Sequence, residues 1–373
     1  MTRQGGCLAR PVPWFLQTKR RGDLVTMNAR PGEIIVGVIA NPASGRDIRR
    51  LTAKASVFPT AEKANMVQRL LGPLGLLGVD RVLMMPDTTG IAAQMLRAVR
   101  THHAQHLPPW PELEFLDIPI TDGAEDSARA ARLMVEAGVR LIVVLGGDGT
   151  HRVVSVAAPD MPLATLSSGT NNVFPDLREA TVTGLAAALF ATGRVGRGVA
   201  LRRSKRLRVS IGSRVETALV DVCVTRIPHL GARAVWEAEA ITELFVSFAE
   251  PDAIGLSAIA AMVQPVARYT PEGVHVCCDP AAARVLAALA PGVIVPIGIA
   301  SSETMIAGRD YPLASRRGSI ALDGEREVEL AGGEAVSVRL DLEGPWVLDV
   351  RATLAAAVTN GALAPRTDAR HPP

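Results

Sequence analysis

Leu141-Ile-Val-Val-Leu145 runs directly into Gly146-Gly-Asp-Gly-Thr150, and this stretch decides the fold. Its first half is apolar and mostly β-branched, which is typical of a strand buried on both faces. Its second half lies where such a strand must turn into the next helix, and ligands of open α/β sheets bind at that turn. The glycines allow positive φ angles and let backbone N–H groups approach an anion, and Thr150 can cap the following helix. With Asp148 among these donors, the stretch predicts a phosphate site, and a tight turn before a capped helix is the alternative.

Two further strands are expected to end in loops of the same kind. The run Ile34-Ile-Val-Gly-Val-Ile39 precedes Asn41-Pro-Ala-Ser-Gly45, and Pro162-Leu-Ala-Thr-Leu166 precedes Ser167-Ser-Gly-Thr-Asn-Asn172. Because parallel strands carry these loops on one edge of the sheet, we expect the three loops to converge.

The order of predicted elements divides the chain into two folded parts. Strands and helices alternate from residue 34 to about residue 193, which predicts a doubly wound parallel α/β domain, and short strands dominate afterwards, which predicts a mostly antiparallel β domain. Within the β domain we expect one strand over Thr217–Val224 and helices over Ala234–Phe248 and Ala281–Leu289. The predicted segments are a loose N-terminal extension (1–32), the α/β nucleotide-binding domain (33–198), the β-rich domain (199–352), and a C-terminal segment returning to the first domain (353–373).

The composition is that of an ordinary globular protein and excludes several classes of partner. The chain has 373 residues, 40 Lys+Arg against 37 Asp+Glu, and only 3% aromatic residues, which argues against binding to nucleic acid. No apolar run is long enough to span a bilayer without interruption, so we expect no stable membrane association. The four cysteines form no C-x-x-C pair, which predicts free thiols and a cytoplasmic location. The group His102, His103 and His106 is interpreted as a solvated helix end rather than a set of metal ligands.

Asp323-Gly324-Glu325 has two interpretations. Asp-Gly between two alternating strands is a standard hairpin turn. A carboxylate on a hairpin that faces a cleft can also serve as a base.

Together these motifs resemble the superfamily of NAD kinases, diacylglycerol kinases and sphingosine kinases. Gly146-Gly-Asp-Gly-Thr150 is similar to the superfamily's central nucleotide-binding motif. Asn41-Pro-Ala-Ser-Gly45 and Gly169-Thr-Asn-Asn172 are similar to its phosphate-side motifs, as these occur in the lipid kinases. Asp323-Gly-Glu325 is similar to its late Asp-Gly motif. The resemblance covers residues 34 to about 350 and implies that superfamily's two-domain fold. Asn41 to Arg50, with Ser56 to Lys63, looks most like the bacterial acetoin catabolism protein X group.

One departure from the NAD kinases concerns the acceptor. Those enzymes carry an Asn-Glu or Asn-Asp pair after Ala-Leu that grips the NAD ribose, whereas Ala218-Leu219 is followed here by Val220-Asp221. Half of that clamp is therefore missing.

The resemblance implies an ATP site with Mg²⁺ and assigns a role to each motif. The base would be Asp148 by similarity to NAD kinases, or Glu325 by similarity to the lipid kinases, and the sequence does not decide between them. The metal ligands stay unassigned. The nucleotide and its phosphates are expected at Asn41, Gly146, Gly147, Gly149, Thr150, Gly169, Thr170, Asn171 and Asn172, and the acceptor at Asp221 and Asp323.

The leading hypothesis is an ATP-dependent kinase for a hydroxyl group of a small molecule, with NAD, giving NADP, the first acceptor to test. The resemblance also implies a link to acetoin catabolism and a homo-oligomer. A lipid or polyol kinase is the alternative enzyme, and a catalytically silent nucleotide-binding regulator is the alternative from another class.

Overall fold

A seven-stranded sheet forms the centre of the first domain in the computed structural model, which describes residues 30–44, 58–169, 172–227, 238–314 and 317–363. The strands of this sheet are β1 (Ile35–Ala40), β2 (Arg81–Met84), β3 (Glu112–Phe115), β4 (Ile142–Gly146), β5 (Leu163–Ser167), β6 (Leu201–Arg203) and β18 (Trp346–Leu348). Their order is β3-β2-β1-β4-β5-β18-β6, and all neighbours are parallel except β18 and β6.

Helices cover both faces of this sheet, which is why β1 and β4 are unbroken apolar runs. Val36 and Val38 pack into the core on one face, and Ile35 and Ile39 pack into the core on the other. The first face carries α1 (Thr60–Leu77), α2 (Ile91–Ala104) and α5 (Ala180–Ala191), and the second carries α3 (Ala124–Glu136) and α4 (Asp148–Ala157). The predicted doubly wound α/β domain is confirmed.

The second half of the chain forms two antiparallel sheets that pack face to face. The predicted mostly antiparallel β domain is confirmed. Leu207 and Val338 on the smaller sheet and Val222 and Phe245 on the larger one belong to the apolar cluster between the sheets. The larger sheet has the order β12-β13-β11-β10-β9-β15-β16 and the smaller one β14-β17-β7-β8. Their strands are β7 (Arg206–Ile211), β8 (Arg214–Ala218), β9 (Asp221–Thr225), β10 (Ile241–Val246), β11 (Glu272–Cys278), β12 (Arg284–Ala290), β13 (Val293–Ile306), β14 (Asp310–Pro312), β15 (Arg317–Leu322), β16 (Glu325–Ala331) and β17 (Val336–Asp341).

Three local predictions in the β domain are wrong. The run Thr217–Val224 is divided between β8 and β9, because the chain leaves the smaller sheet and enters the larger one at Leu219 and Val220. The helices predicted over Ala234–Phe248 and Ala281–Leu289 are absent from the described part of those ranges, which holds a 3-10 turn (Ala238–Ala240), β10 and β12. Pairing with neighbouring strands decides the structure in both places, and in β12 it overrides the helical preference of alanine.

The chain returns to the first domain at its far end. After β18 joins the first sheet, α8 (Val350–Thr359) packs beside α5, with Ala357 in the same apolar core. Two short helices complete the described elements, α6 (Arg197–Ala200) before β6 and α7 (Ser257–Ala261) over the outer face of the larger β sheet. None of the helices in the described ranges is long and apolar enough to cross a membrane.

Candidate functional site

Three loops meet at the carboxyl edge of the parallel sheet, where β1, β4 and β5 end. The side-chain amide of Asn41, at the end of β1, donates a 2.7 Å hydrogen bond to Oγ1 of Thr150. The hydroxyl of Ser168, after β5, donates to the hydroxyl of Ser44 at 3.3 Å, and both serines are buried. The convergence expected from the parallel strands is therefore present, and it is held by side chains of all three loops.

Glycines in these loops allow close approach rather than unusual backbone angles. A Cβ on Gly146 would lie 2.5 Å from the Cβ of Thr150. Cβ atoms on Gly147 and Gly169 would lie 2.8 and 2.7 Å from the amide of Asn172. The positive φ angles allowed by the sequence do not occur at these three glycines, since none of them lies in the left-handed region.

The amino end of α4 lies at the centre of this group. The helix begins at Asp148, and its N-cap is Gly147, which has no side chain of its own to cap the helix. Thr150 lies in the first turn and accepts the hydrogen bond from Asn41, so the predicted N-cap role of Thr150 is wrong. The positive end of the helix dipole and backbone N–H groups without intrahelical partners make such a terminus suited to an anion.

Asp148 joins the β4 corner to the third loop. Its side chain is 8% exposed, and its carboxylate accepts the backbone N–H of Val173 at 3.1 Å and of Phe174 at 2.8 Å. Charge-assisted bonds from backbone N–H groups stabilise the ionised carboxylate. The carboxylate therefore holds the two amino-acid residues that follow Asn172.

The hairpin between β15 and β16 brings the β domain to the same place. Asp323 and Gly324 have φ angles of 51° and 79°, as in a type I′ turn, so the hairpin interpretation is confirmed. The buried carboxylate of Asp323 accepts the N–H groups of Leu219 at 2.9 Å and of Val220 at 2.8 Å, and it lies 3.3 Å from Nε of Arg152 on α4. Complete burial raises the pKa of Asp323 above its ordinary value, although the guanidinium and the N–H groups oppose this.

Glu325 follows this turn and lies against the amino end of α4. Its carboxylate oxygens are 3.9 and 4.0 Å from the position that a Cβ on Gly149 would occupy. The structure thus brings Glu325 of the β domain to the same helix terminus that the sequence predicted as the phosphate site.

The two carboxylates predicted to bind the acceptor lie in the hairpin contact. Asp221 is buried and accepts the N–H of Gly324 at 3.2 Å, while Asp323 holds the backbone of Leu219 and Val220. Val220, which stands where NAD kinases have the first clamp residue, lies in a small apolar cluster with Phe174, Leu219, Phe248 and Val347. Acceptor binding by Asp221 and Asp323 stays a prediction.

Lys63 at the start of α1 belongs to the site although its role was not predicted from the sequence. Its side chain is 2% exposed, and Nζ donates to the backbone oxygens of Asn41 at 2.9 Å, Pro42 at 3.1 Å and Ser44 at 2.8 Å. A signal was present, because Lys63 lies four residues before Val67 on the buried stripe of the helix.

His151 is the second residue that the sequence analysis missed. Its ring is fully buried beside Phe174, and Nδ1 lies 2.8 Å from the carbonyl oxygen of Gly147. Burial lowers the pKa of His151 to about 4, so the neutral ring donates from Nδ1 to this carbonyl at physiological pH. His151 therefore fixes the peptide at the N-cap of α4.

Other predicted features are placed as follows. Thr170 and Asn171 lie outside the described residues, as does the greater part of the predicted N-terminal extension. His102 stacks on Trp110 and contacts the carbonyl oxygen of Pro108 at a helix end. In the ranges that the structure describes, no three His, Cys, Asp or Glu residues are grouped to hold a metal ion.

Comparison with known proteins gives matches over both domains. Residues 36–195 match the family model "ATP-NAD kinase N-terminal domain", and residues 205–343 match "Acetoin catabolism protein X C-terminal domain". The chain is 41% identical over 331 residues to the acetoin catabolism protein X of Cupriavidus necator, an alignment that covers 86% of this chain and 91% of that protein. The crystal structure of yeast NADH kinase complexed with NADH is similar with a TM-score of 0.46 and 14% identity, covering 91% of this chain and 90% of that one.

Proposed function

The chain belongs to the acetoin catabolism protein X family, and from this premise we propose that it transfers the γ-phosphoryl group of ATP to a hydroxyl group of a small molecule. The observation that carries the proposal is the position of Glu325, whose carboxylate oxygens lie 3.9 and 4.0 Å from the Cβ position of Gly149, at the amino end of α4, where the N-cap is a glycine. This arrangement offers a donor-rich anion site and a carboxylate beside it. Phosphoryl transfer to a hydroxyl requires both.

In the proposed reaction, the backbone N–H groups at Asp148 and Gly149 bind the phosphates of ATP. The carboxylate of Glu325 takes the proton of the acceptor hydroxyl as the acceptor oxygen forms a bond to the γ-phosphorus. The bond between that phosphorus and the bridging oxygen breaks, and ADP leaves with the electron pair. The products are a phosphate ester, ADP and one proton.

We assign the base to Glu325 and a holding role to Asp148. The Asp148 carboxylate accepts the N–H groups of Val173 and Phe174, and these bonds engage it with the third loop. Its oxygens are directed at the third loop, whereas the carboxylate of Glu325 lies beside Gly149. The assignment follows the lipid-kinase branch of the resemblance.

A resident Mg²⁺ does not fit the donor set of the described residues. Asp148, Asp221 and Asp323 all accept backbone N–H groups, and no group of three suitable side chains converges in the described part of the chain. Mg²⁺ therefore enters the proposal only as the counter-ion of the substrate MgATP. No step is derived through it.

For the acceptor, we favour a small hydroxyl compound over NAD. The clamp position Val220 is buried in an apolar cluster, and the neighbouring Asp221 accepts the N–H of Gly324. The name of the Cupriavidus relative places that protein in acetoin catabolism, and we extend this role to the present chain by its 41% identity. Acetoin and related diols therefore stand beside NAD among the acceptors to test.

The test is release of ADP by the purified protein with MgATP, measured without acceptor and with NAD, acetoin, a panel of diols, and phosphatidylglycerol or diacylglycerol vesicles. We expect ADP with one small hydroxyl compound, with a matching phosphate ester detected by mass spectrometry. Glu325→Gln should reduce this signal by at least about a hundredfold and retain ATP binding. ADP formed only with NAD, together with NADP, would establish an NAD kinase, and ADP formed only with vesicles would establish a lipid kinase.

A catalytically silent nucleotide-binding regulator is the second candidate, and the buried Val220 favours it. A regulator can retain the phosphate loops after the acceptor clamp is lost. Saturable ATP binding without ADP release under any condition would establish it. The cytoplasmic location and the homo-oligomer stay predictions, and light scattering of the purified protein checks the second.

A further inference from the structure

Arg268 of the β domain binds the same two residues of the candidate site that Asp148 binds, Val173 and Phe174. It lies between α7 and β11, and its Nη1 and Nη2 atoms donate to the carbonyl oxygens of Phe174 at 2.6 Å and Val173 at 2.8 Å. The N–H groups of the same two residues bind Asp148. Val173 and Phe174 are therefore held through both their donors and their acceptors, by two residues from different domains.

The guanidinium of Arg268 is itself held in place. It lies 4.2 Å above the ring centroid of Phe248, and Nη2 is 3.4 Å from Oε2 of Glu250. Only 15% of the side chain is exposed. A cation fixed between an aromatic face and a carboxylate presents its planar donors in one orientation.

These contacts determine where Asn172 lies. Asn172 directly precedes Val173, its amide donates to Oγ of Ser167 at 2.8 Å, and it occupies the space over Gly147 and Gly169. A shift of the Val173 backbone would move Asn172 against the corner at which α4 begins. The held pair Val173 and Phe174 is thus a rigid neighbour of the proposed phosphate site.

We propose that Arg268 is a positioning residue that fixes the third phosphate-side loop and thereby maintains the affinity for ATP, an inference that rests on the proposed function. Arginine is required because one planar group must donate to two adjacent carbonyl oxygens. A lysine ammonium is a single point of donation and would hold one carbonyl well. Without either donor, the carbonyl oxygens of buried Phe174 and half-buried Val173 both lose a hydrogen-bond partner.

The experiment compares Arg268→Met and Arg268→Lys with Arg206→Met, each as the full-length chain. Arg206 is a matched control, because it forms an ion pair with Asp341 in the β domain at 2.7 Å and makes no contact with the loop among its described bonds. Two quantities are measured: amide hydrogen exchange over residues 172–178 without nucleotide, and the dissociation constant of ATP by calorimetry. Thermal unfolding of each variant provides the stability reference.

For Arg268→Met we expect exchange over residues 172–178 to be about tenfold faster or more, because the loop loses the donors that hold it closed. The dissociation constant of ATP should rise by about tenfold or more, which corresponds to the loss of ordinary hydrogen bonds. Arg268→Lys should fall between Arg268→Met and the wild type. Arg206→Met should change neither quantity.

Unchanged exchange in Arg268→Met, or unchanged ATP affinity with faster exchange, would overturn the proposal. Arg268→Lys serves the same comparison if Arg268→Met does not fold. A wild-type protein that binds no ATP would refute the proposed function, and with it the link from Arg268 to ATP affinity. Faster exchange in Arg268→Met would then still show that Arg268 holds the loop.

Discussion

Replacing Arg152 with methionine tests the buried ion pair that joins the two domains. Nε of Arg152 on α4 lies 3.3 Å from Oδ2 of Asp323 in the β domain, and the two side chains are 9% and 0% exposed. Breaking such a pair by removing one partner typically destabilises a protein by about 3–5 kcal/mol, because the remaining charge stays buried. Asp323 keeps backbone N–H donors from Leu219 and Val220, so we expect a loss of about 3 kcal/mol, at the lower end of this range.

The loss should depend on pH with a defined sign. Burial raises the pKa of Asp323 in the folded protein above 3.8, and removing the Arg152 cation raises it further. An acid whose pKa is higher in the folded state than in the unfolded state destabilises the fold increasingly as pH rises above the unfolded value. The difference in unfolding free energy between Arg152→Met and the wild type should therefore shrink as the pH falls through the raised pKa of Asp323, because protonation removes the buried charge that Arg152 offsets.

Urea unfolding followed by circular dichroism measures this difference across the pH range. Arg202→Met is the control, since Arg202 pairs with Asp349 while 51% of its side chain is exposed, and exposed pairs contribute about 0–1 kcal/mol. Adding Asp323→Asn to Arg152→Met should remove most of the pH dependence. A loss below about 1 kcal/mol at pH 7, or a loss that does not vary with pH, would refute the argument that Arg152 offsets a buried charge.

Three further predictions concern a histidine, a glycine and a cysteine. Burial lowers the pKa of His275, but hydrogen bonds with the carboxylates of Glu243 and Glu303 outweigh it and leave the pKa above 6.5. In urea unfolding, the wild type should therefore be more stable than His275→Gln by an amount that is complete below pH 6.5 and declines above it. In thermal unfolding, Gly318→Ala should destabilise the β domain by about 3 kcal/mol or more, because φ is +126° and a Cβ would lie 1.9 Å from the carbonyl oxygen of Thr225. Gly308→Ala is the control: its φ is +82° and a Cβ would meet nothing within 4 Å, so it should destabilise the protein by only about 1 kcal/mol. Burial raises the pKa of Cys278 to about 12 from 9.0, so its alkylation by iodoacetamide at pH 8, followed by peptide mass spectrometry, should be about a thousandfold slower than that of an unperturbed thiol.

The fold class was predictable because its main signals are local and repeated. Leu141–Leu145 is followed at once by glycines, and buried apolar runs alternating with helical spacing leave few architectures other than a doubly wound sheet. The predicted helix over Ala281–Leu289 failed because the same apolar and alanine-rich sequence satisfies an edge strand once β13 pairs with it. Thr217–Val224 failed because a continuous apolar run does not reveal where the chain passes from one sheet to the next.

The candidate site was predictable as far as strand ends could place it. Asn41 and Thr150 meet because the ends of β1 and β4 share one edge of the sheet, which the sequence alone implies. Arg268 was not predictable, since its contact with Val173 and Phe174 depends on how the two domains pack. The chemical type of Asp148 was evident from the sequence, but its hydrogen-bond partners were not, because they lie in another loop of the same domain, 25 and 26 residues further along the chain.

These partners decide how substitutions at the two candidate bases must be interpreted. Asp148→Asn places an amide against the N–H groups of Val173 and Phe174, so we expect it to weaken both ATP binding and turnover by releasing the loop. The carboxylate of Glu325 lies 3.9 Å from the Cβ position of Gly149, and Glu325→Gln keeps the shape of this side chain. This variant should reduce kcat by at least about a hundredfold while the ATP dissociation constant changes less than about threefold. Steady-state kinetics with calorimetry separates these outcomes. Full turnover in Glu325→Gln, together with an Asp148→Asn variant that binds ATP normally and is inactive, would return the base to Asp148.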